Sequence, residues 1–124
     1  MEIELELINV DLSIAKISKS IDPCKLSEKA KFISFTKTED EISLVIDSES
    51  LPENEYASDG WKGIKIIGPM DFSLVGVLQQ VIEPLAINGI SIFTISTFET
   101  DYILVRQEQL KKAVELLAQK FTIS

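Results

Sequence analysis

The chain has 124 residues, 45% of them hydrophobic and 26% charged. That is enough for one ordinary domain or two very small ones sharing a core, since a chain of this length buries about two-thirds of its unfolded surface. A net charge of −8 with no histidine argues against a nucleic-acid partner, because phosphate is held by clustered Lys and Arg; no stretch approaches the roughly 18 apolar residues of a membrane span.

The opening Met1-Glu2-Ile3-Glu4-Leu5-Glu6 has neither the basic start nor the apolar run of a secretory signal, so a soluble, cytoplasmic protein is expected. Residues 3–17 alternate through Ile3, Leu5 and Leu7, then shift phase into Ile8, Val10, Leu12, Ile14 and Ile17. That pattern predicts a strand with a break or bulge. A loop is expected over 18–31; its Cys24, the one cysteine, has no second thiol and reads as a bland reduced residue. Two apolar runs at 32–35 and 42–46, separated by polar 36–41, predict a hairpin. Residues 48–55 have room for one helical turn, and polar 53–60 is the expected boundary between two halves, 1–60 and 61–124.

In the second half, 61–67 reads as a strand ended by Gly68-Pro69, after which Asp71 or Ser73 can cap a helix. Leu74, Val77, Leu78, Val81, Ile82 and Leu85 fall on one helical face. Pro84 should kink that helix near its end, and Asn88-Gly89 should stop it. Strands are expected at 90–96 and 102–105, a turn at 97–101, a second helix through Leu110, Val114 and Leu117, and a last strand at 121–123. The order βαββαβ is the ferredoxin-like α+β pattern, two helices over a four-stranded antiparallel sheet. Trp61 is expected to pack at the junction of the halves.

The charge is lopsided: residues 1–60 hold 14 acids and 6 bases, whereas 61–124 hold 6 of each. A solvated acidic face accounts for this; a docking surface for a basic partner is the alternative. A weak internal repeat emerges when 32–45 is laid over 92–105 at an offset of 60, pairing Glu39, Leu44 and Val45 with Glu99, Leu104 and Val105. The first unit would then lack the long helix between its opening strand and its hairpin, and could not cover its own sheet face.

Four separated segments carry a family likeness: Gly68-Pro69-Met70-Asp71-Phe72-Ser73-Leu74-Val75-Gly76, Pro84-Leu85-Ala86, Gly89-Ile90-Ser91-Ile92-Phe93, and Ser96-Thr97-Phe98-Glu99-Thr100-Asp101-Tyr102-Ile103-Leu104-Val105. Together they resemble the ACT-like regulatory proteins related to aspartokinase allosteric domains and to the arginine-sensing ACT proteins of eukaryotes. The resemblance implies an ACT domain at 61–124 with a truncated ACT-like unit at 1–60. It also implies amino-acid binding between ACT units, pairing through sheets, and no active site. The chain has about half the length of the arginine-sensing proteins. A site completed there by further ACT units would here be completed by a second subunit or by the N-terminal half.

An amino acid presents a carboxylate, an ammonium and a side chain. Backbone donors at the start of the first long helix, reached from Pro69 through Asp71, Phe72, Ser73, Leu74, Gly76 and Val77, suit the carboxylate. The turn after Ser96 lies close by in a ferredoxin-like layout, since its first and third strands are neighbours. There Asp101 can meet the ammonium or a basic side chain, Thr97 and Thr100 offer hydroxyls, and Phe98 offers an apolar or cation-π wall. Simpler readings stand beside these: Asp71 as an N-cap, Asp101 as a turn residue. Gly76 inside a helix costs about 1 kcal/mol against Ala and hints at close approach by backbone or ligand. Asp71 and Asp101 face one potential base, Arg106, which leans the ligand towards a basic or neutral side chain.

Catalysis lacks parts. There is no histidine, no thiol partner, no Gly-rich phosphate loop and no metal-spaced ligand set, so neither enzyme activity nor a cofactor is expected. Two functions remain: a homodimeric amino-acid sensor, and a pairing module whose sheet edges recruit a partner protein without any ligand.

Overall fold

The computed structural model describes residues 3–53, 55–67 and 76–124. The chain divides into two units, one of residues 1–9 with 62–124 and the other of residues 10–61. Strands β1 (Glu4–Lys16) and β4 (Tyr56–Ile67) cross that division, each giving one part to either unit.

The phase shift near the N-terminus is absorbed inside one continuous strand. Leu5 is buried between exposed Glu4 and Glu6, and farther along Leu12, Ser13 and Ala15 are buried. In the 10–61 unit β1 pairs antiparallel with β3 (Ile42–Asp47), from Leu12↔Asp47 to Lys16↔Ser43. On its other side β3 forms the expected hairpin with β2 (Ile33–Lys37), from Ile33↔Ile46 to Lys37↔Ile42. The stretch expected to be all loop contains a short helix, α1 (Pro23–Ser27). Asp22 caps it by accepting from Cys24 N at 2.9 Å, and Pro23 occupies a first-turn position whose missing N–H costs nothing. Ala15, Ile17, Ile42, Leu44 and Ile46 form the core of this unit, with Ile21, Leu26, Ile33 and Leu51 packed against it.

A 3-10 turn at Ser48–Ser50 leads on towards β4, which starts at Tyr56 rather than at Trp61. Residues 56–60, read from sequence as a polar boundary, are therefore strand. Their polar side chains have partners: Asp59 accepts from Ser13 Oγ at 2.6 Å, and Ser58 Oγ accepts from Trp61 Nε1 at 3.1 Å. Ser13, fully buried, also shares a 2.7 Å hydrogen bond with Ser48 Oγ. Trp61 is itself buried.

In the other unit the strand order is β1-β4-β6-β5, with β5 (Ile92–Ser96) and β6 (Asp101–Arg106) as an antiparallel hairpin. Helix α2 (Val77–Ile87) and helix α3 (Leu110–Ala118) follow β4 and β6 in chain order, which is the ferredoxin-like βαββαβ arrangement. Val77, Val81 and Leu85 of α2 and Ala113 and Leu117 of α3 are buried with Leu5, Ile64, Ile66, Ile90, Ile103 and Val105 in one core. Helix α2 ends in a Schellman motif: Ile90 N donates to Leu85 O at 3.0 Å and Gly89 N to Ala86 O at 3.1 Å, with Gly89 at φ 74°. A left-handed residue there closes the orphan carbonyls, and glycine adopts it without a Cβ clash. Pro84 lies inside α2, and Asn88 Nδ2 donates to its carbonyl at 2.7 Å.

Strand β7 (Thr122–Ile123) does not complete a four-stranded sheet. It pairs in parallel with β1, Glu4↔Thr122 and Leu5↔Ile123, and Leu7 N donates to Ser124 O at 2.8 Å. The N-terminal strand is thus an addition to the ferredoxin-like set, beside β4. Period-two alternation predicts a strand but carries no information about which edge it joins.

The internal repeat is present with an offset of 59, not 60. Ile33–Lys37 superposes in number on Ile92–Ser96, Ile42–Asp47 on Asp101–Arg106, and the 3-10 turn Ser48–Ser50 on Gln107–Gln109. Ile33↔Ile46 corresponds to Ile92↔Val105 and Lys37↔Ile42 to Ser96↔Asp101. The three identities at offset 60 are therefore one residue out of register. The equivalent pairs are Ile33 with Ile92, Thr38 with Thr97, Glu49 with Glu108, and Leu51 with Leu110.

Candidate ligand-binding site

The turn at 97–100 is closed by backbone and side chain together. Thr97 N donates to Thr100 O at 2.8 Å, and Thr97 Oγ1 donates to the same carbonyl at 3.1 Å while accepting from Thr100 N at 3.2 Å. The other hairpin closes in a similar way, Thr38 N donating to Glu41 O at 2.9 Å and Thr38 Oγ1 accepting from Asp40 N and Glu41 N. The repeated turn accounts for Thr97 without a ligand.

At the base of the turn Ser96 and Asp101 face each other in register, and Ser96 Oγ donates to Asp101 Oδ1. Asp101 is 8% exposed. A carboxylate there needs donors, because burial without a hydrogen bond costs several kcal/mol. Among the described residues Ser96 is the hydroxyl that reaches Oδ1, and a carboxylate has lone pairs enough to accept an ammonium or guanidinium besides. Thr100, equally buried, sends its Oγ1 proton to Ile66 O. That hydrogen bond ties the turn to the last residues of β4, just before the chain enters 68–75. Phe98 stands at the tip, 81% exposed.

Of the residues expected to form the second wall, Pro69, Asp71, Phe72, Ser73 and Leu74 lie outside the described residues. Gly76 and Val77 are described, and they change the expectation. Helix α2 begins at Val77 with Gly76 as its N-cap residue, so Gly76 is not a mid-helix position. Its φ of 81° is the left-handed conformation that favours glycine. A Cβ there would meet only Gln79 Oε1, at 4.0 Å, among the described residues. The left-handed conformation by itself accounts for glycine at this position. Val77 is buried in the core, which leaves its backbone, not its side chain, for contact with a ligand.

The polar clasp around Asp47 escaped the reading of the sequence. Its Oδ1 accepts from Lys31 N at 2.8 Å and Phe32 N at 3.2 Å, and its Oδ2 from Ser50 Oγ at 2.7 Å. Burial pushes this carboxyl up, and the hydrogen bonds from Ser50, Phe32 and Lys31 outweigh it and hold the group below the usual carboxylate range. The Asp47-x-x-Ser50 spacing was its available signal. Among the described residues no three His, Cys, Asp or Glu side chains gather as a metal site, and no helix is long and apolar enough to cross a membrane.

The ACT domain model matches residues 56–119. The chain is similar to the cytosolic arginine sensor for mTORC1 subunit 1 of Bos taurus, 31% identical over 106 residues that cover 77% of this chain and 32% of that protein. It is 32% identical over 108 residues to the human protein CASTOR3P, covering 77% of this chain and 66% of that one. The match thus spans about a third of the arginine sensor's length. Among solved structures, protein Atu0741 of Agrobacterium tumefaciens has a TM-score of 0.89 at 35% identity, covering 100% of this chain and 93% of that one. The regulatory subunit of aspartate kinase from Thermus thermophilus has a TM-score of 0.65 at 13% identity, covering 94% and 96%. That second likeness is one of fold.

Proposed function

The chain belongs to the ACT domain family, and from that premise we propose that it is a non-catalytic regulatory protein of the cytoplasm that binds a free amino acid and responds by changing conformation or assembly. Residues 1–60 act as a truncated ACT-like unit and 61–124 as the ACT domain. The offset of 59 between the two hairpins and their 3-10 turns supports that division. The similar bovine protein is by name an arginine sensor, and this supports the class of ligand.

The observation that carries the reading is the build of the turn. A buried carboxylate at Asp101, oriented by Ser96, stands one residue from Thr100, whose hydroxyl holds the turn against the end of β4. The amino acid sits between the 69–77 segment and the 97–101 turn, its ammonium or basic side chain on Asp101 and its carboxylate on backbone donors at the start of α2. The working form is a homodimer.

A thermal-shift panel of the common amino acids tests this. At 100 times the dissociation constant, binding stabilises the fold by about 2.7 kcal/mol, a shift of several degrees for a chain of this size. Asp101→Asn should remove most of that shift and keep the Ser96 hydrogen bond. If no amino acid shifts the protein at millimolar concentration, the sensor reading fails and a ligand-free pairing module replaces it. Light scattering that returns a monomer mass at micromolar concentration would refute the dimer.

A further inference from the structure

The 10–61 unit carries a cleft of about 310 Å³, at the lower end of the range for small-molecule sites, roughly 300–1,000 Å³. It arises from the path of the chain. Ile17 N donates to Ile42 O at 3.0 Å, keeping the end of β1 beside β3, and the chain then turns with Ile21 N donating to Ser18 O at 3.1 Å before entering α1. The returning segment leaves a space beside the turn end of the β2–β3 hairpin, where Lys37 pairs with Ile42. Ile21, Pro23, Phe35 and Ile42 give it apolar walls, and Lys19 and Lys37 also line it.

Two observations make this more than a surface hollow. Phe35 is 48% exposed, so much of an aromatic ring stays wet on an edge strand, and a ligand covering it would remove that apolar surface from water. The charge is also distinctive. In a stretch of 60 residues with 14 acids and 6 bases, two of the lysines line one apolar cleft. The acid of the lining, Asp22, is engaged in capping α1 through Cys24 N. Among the described residues Lys19 and Lys37 have neither an ion pair nor a hydrogen bond from their side chains. Glu39, Asp40 and Glu41 occupy the adjoining turn, and none of them lines the cleft.

We propose that this cleft binds a small monocarboxylate with an apolar body, an aryl or branched-alkyl acid, its carboxylate held by Lys19 and Lys37 and its body laid against Phe35 and Ile42. A zwitterionic amino acid fits less well, because its ammonium would meet the same two cations. The site is separate from the one proposed around Asp101 and does not depend on it.

The test is a titration of the isotope-labelled full chain with indole-3-acetate, followed by amide NMR, with indole-3-acetamide as the uncharged counterpart. Saturable shifts at Ile21, Phe35 and Ile42 are expected, with the amide binding at least ten-fold more weakly. Lys37→Gln, a change at an exposed position, should weaken indole-3-acetate about ten-fold and leave the unliganded melting temperature and any amino-acid thermal shift unaltered; Lys19→Gln is the second variant. No saturable shift at millimolar acid, equal affinity for acid and amide, or shifts confined to residues 97–101 would each overturn the proposal.

Discussion

Replacing Asp47 by Ala removes an acceptor that three donors share. Asp47 is 4% exposed, and its two oxygens take Lys31 N, Phe32 N and Ser50 Oγ while its own amide donates to Phe32 O at 3.2 Å. The side chain thus joins the entry to β2 with the exit from β3. A donor left unsatisfied in a buried site costs about 1–3 kcal/mol. Lys31 is exposed and Ser50 partly so, and water can reach both. The total is therefore about 2–3 kcal/mol, well below the sum of three penalties. At roughly 4 °C per kcal/mol the melting temperature falls by about 8–12 °C. The pH dependence follows from the lowered folded-state value of this carboxyl. Its contribution is complete above the unfolded value of about 3.9 and fades as pH falls through the lower folded value. Urea unfolding followed by circular dichroism from pH 7 to pH 2.5 reads both effects. The stability difference between wild type and Asp47→Asn should be constant at neutral pH and shrink below about pH 4. An Asp47→Ala protein melting within about 2 °C of wild type, or a difference that stays flat into acid, would refute the reasoning.

Gly76→Ala should lower stability by about 1–2 kcal/mol through its left-handed backbone alone, with Asn milder at the same position; unchanged melting of the Ala variant would contradict that conformation. Thr100→Val removes the donor to Ile66 O and should cost about 1–2 kcal/mol, whereas Thr100→Ser should restore most of it, as read from thermal melts. Leu85→Ala, at a fully buried site that also closes the α2 Schellman motif, should cost about 2–5 kcal/mol, read as a lower urea midpoint with an unchanged slope.

The turn at 97–101 was visible in the residues, because turn chemistry is a local signal. The use made of each hydroxyl was not. Thr97 and Thr100 look alike in sequence, yet one closes its own turn and the other reaches β4 across 34 positions. Asp22-Pro23 is a helix start that polar neighbours masked, and the offset of 60 won on chance identities where hairpin register gives 59.

Local periodicity decided what the sequence alone could decide. Val77, Val81 and Leu85 specify a buried helical face, Asn88-Gly89 its end, and the alternating runs the strands, because these depend on backbone geometry within a few residues. Pairing partners belong to the tertiary structure. Nothing local says that Glu4-Leu5 will meet Thr122-Ile123 in parallel, or that Asp47 will collect donors from Lys31, Phe32 and Ser50. An unpaired strand edge can accept any compatible strand; burial of Leu5 in the core with Ile64, Ile103 and Leu117 selects one.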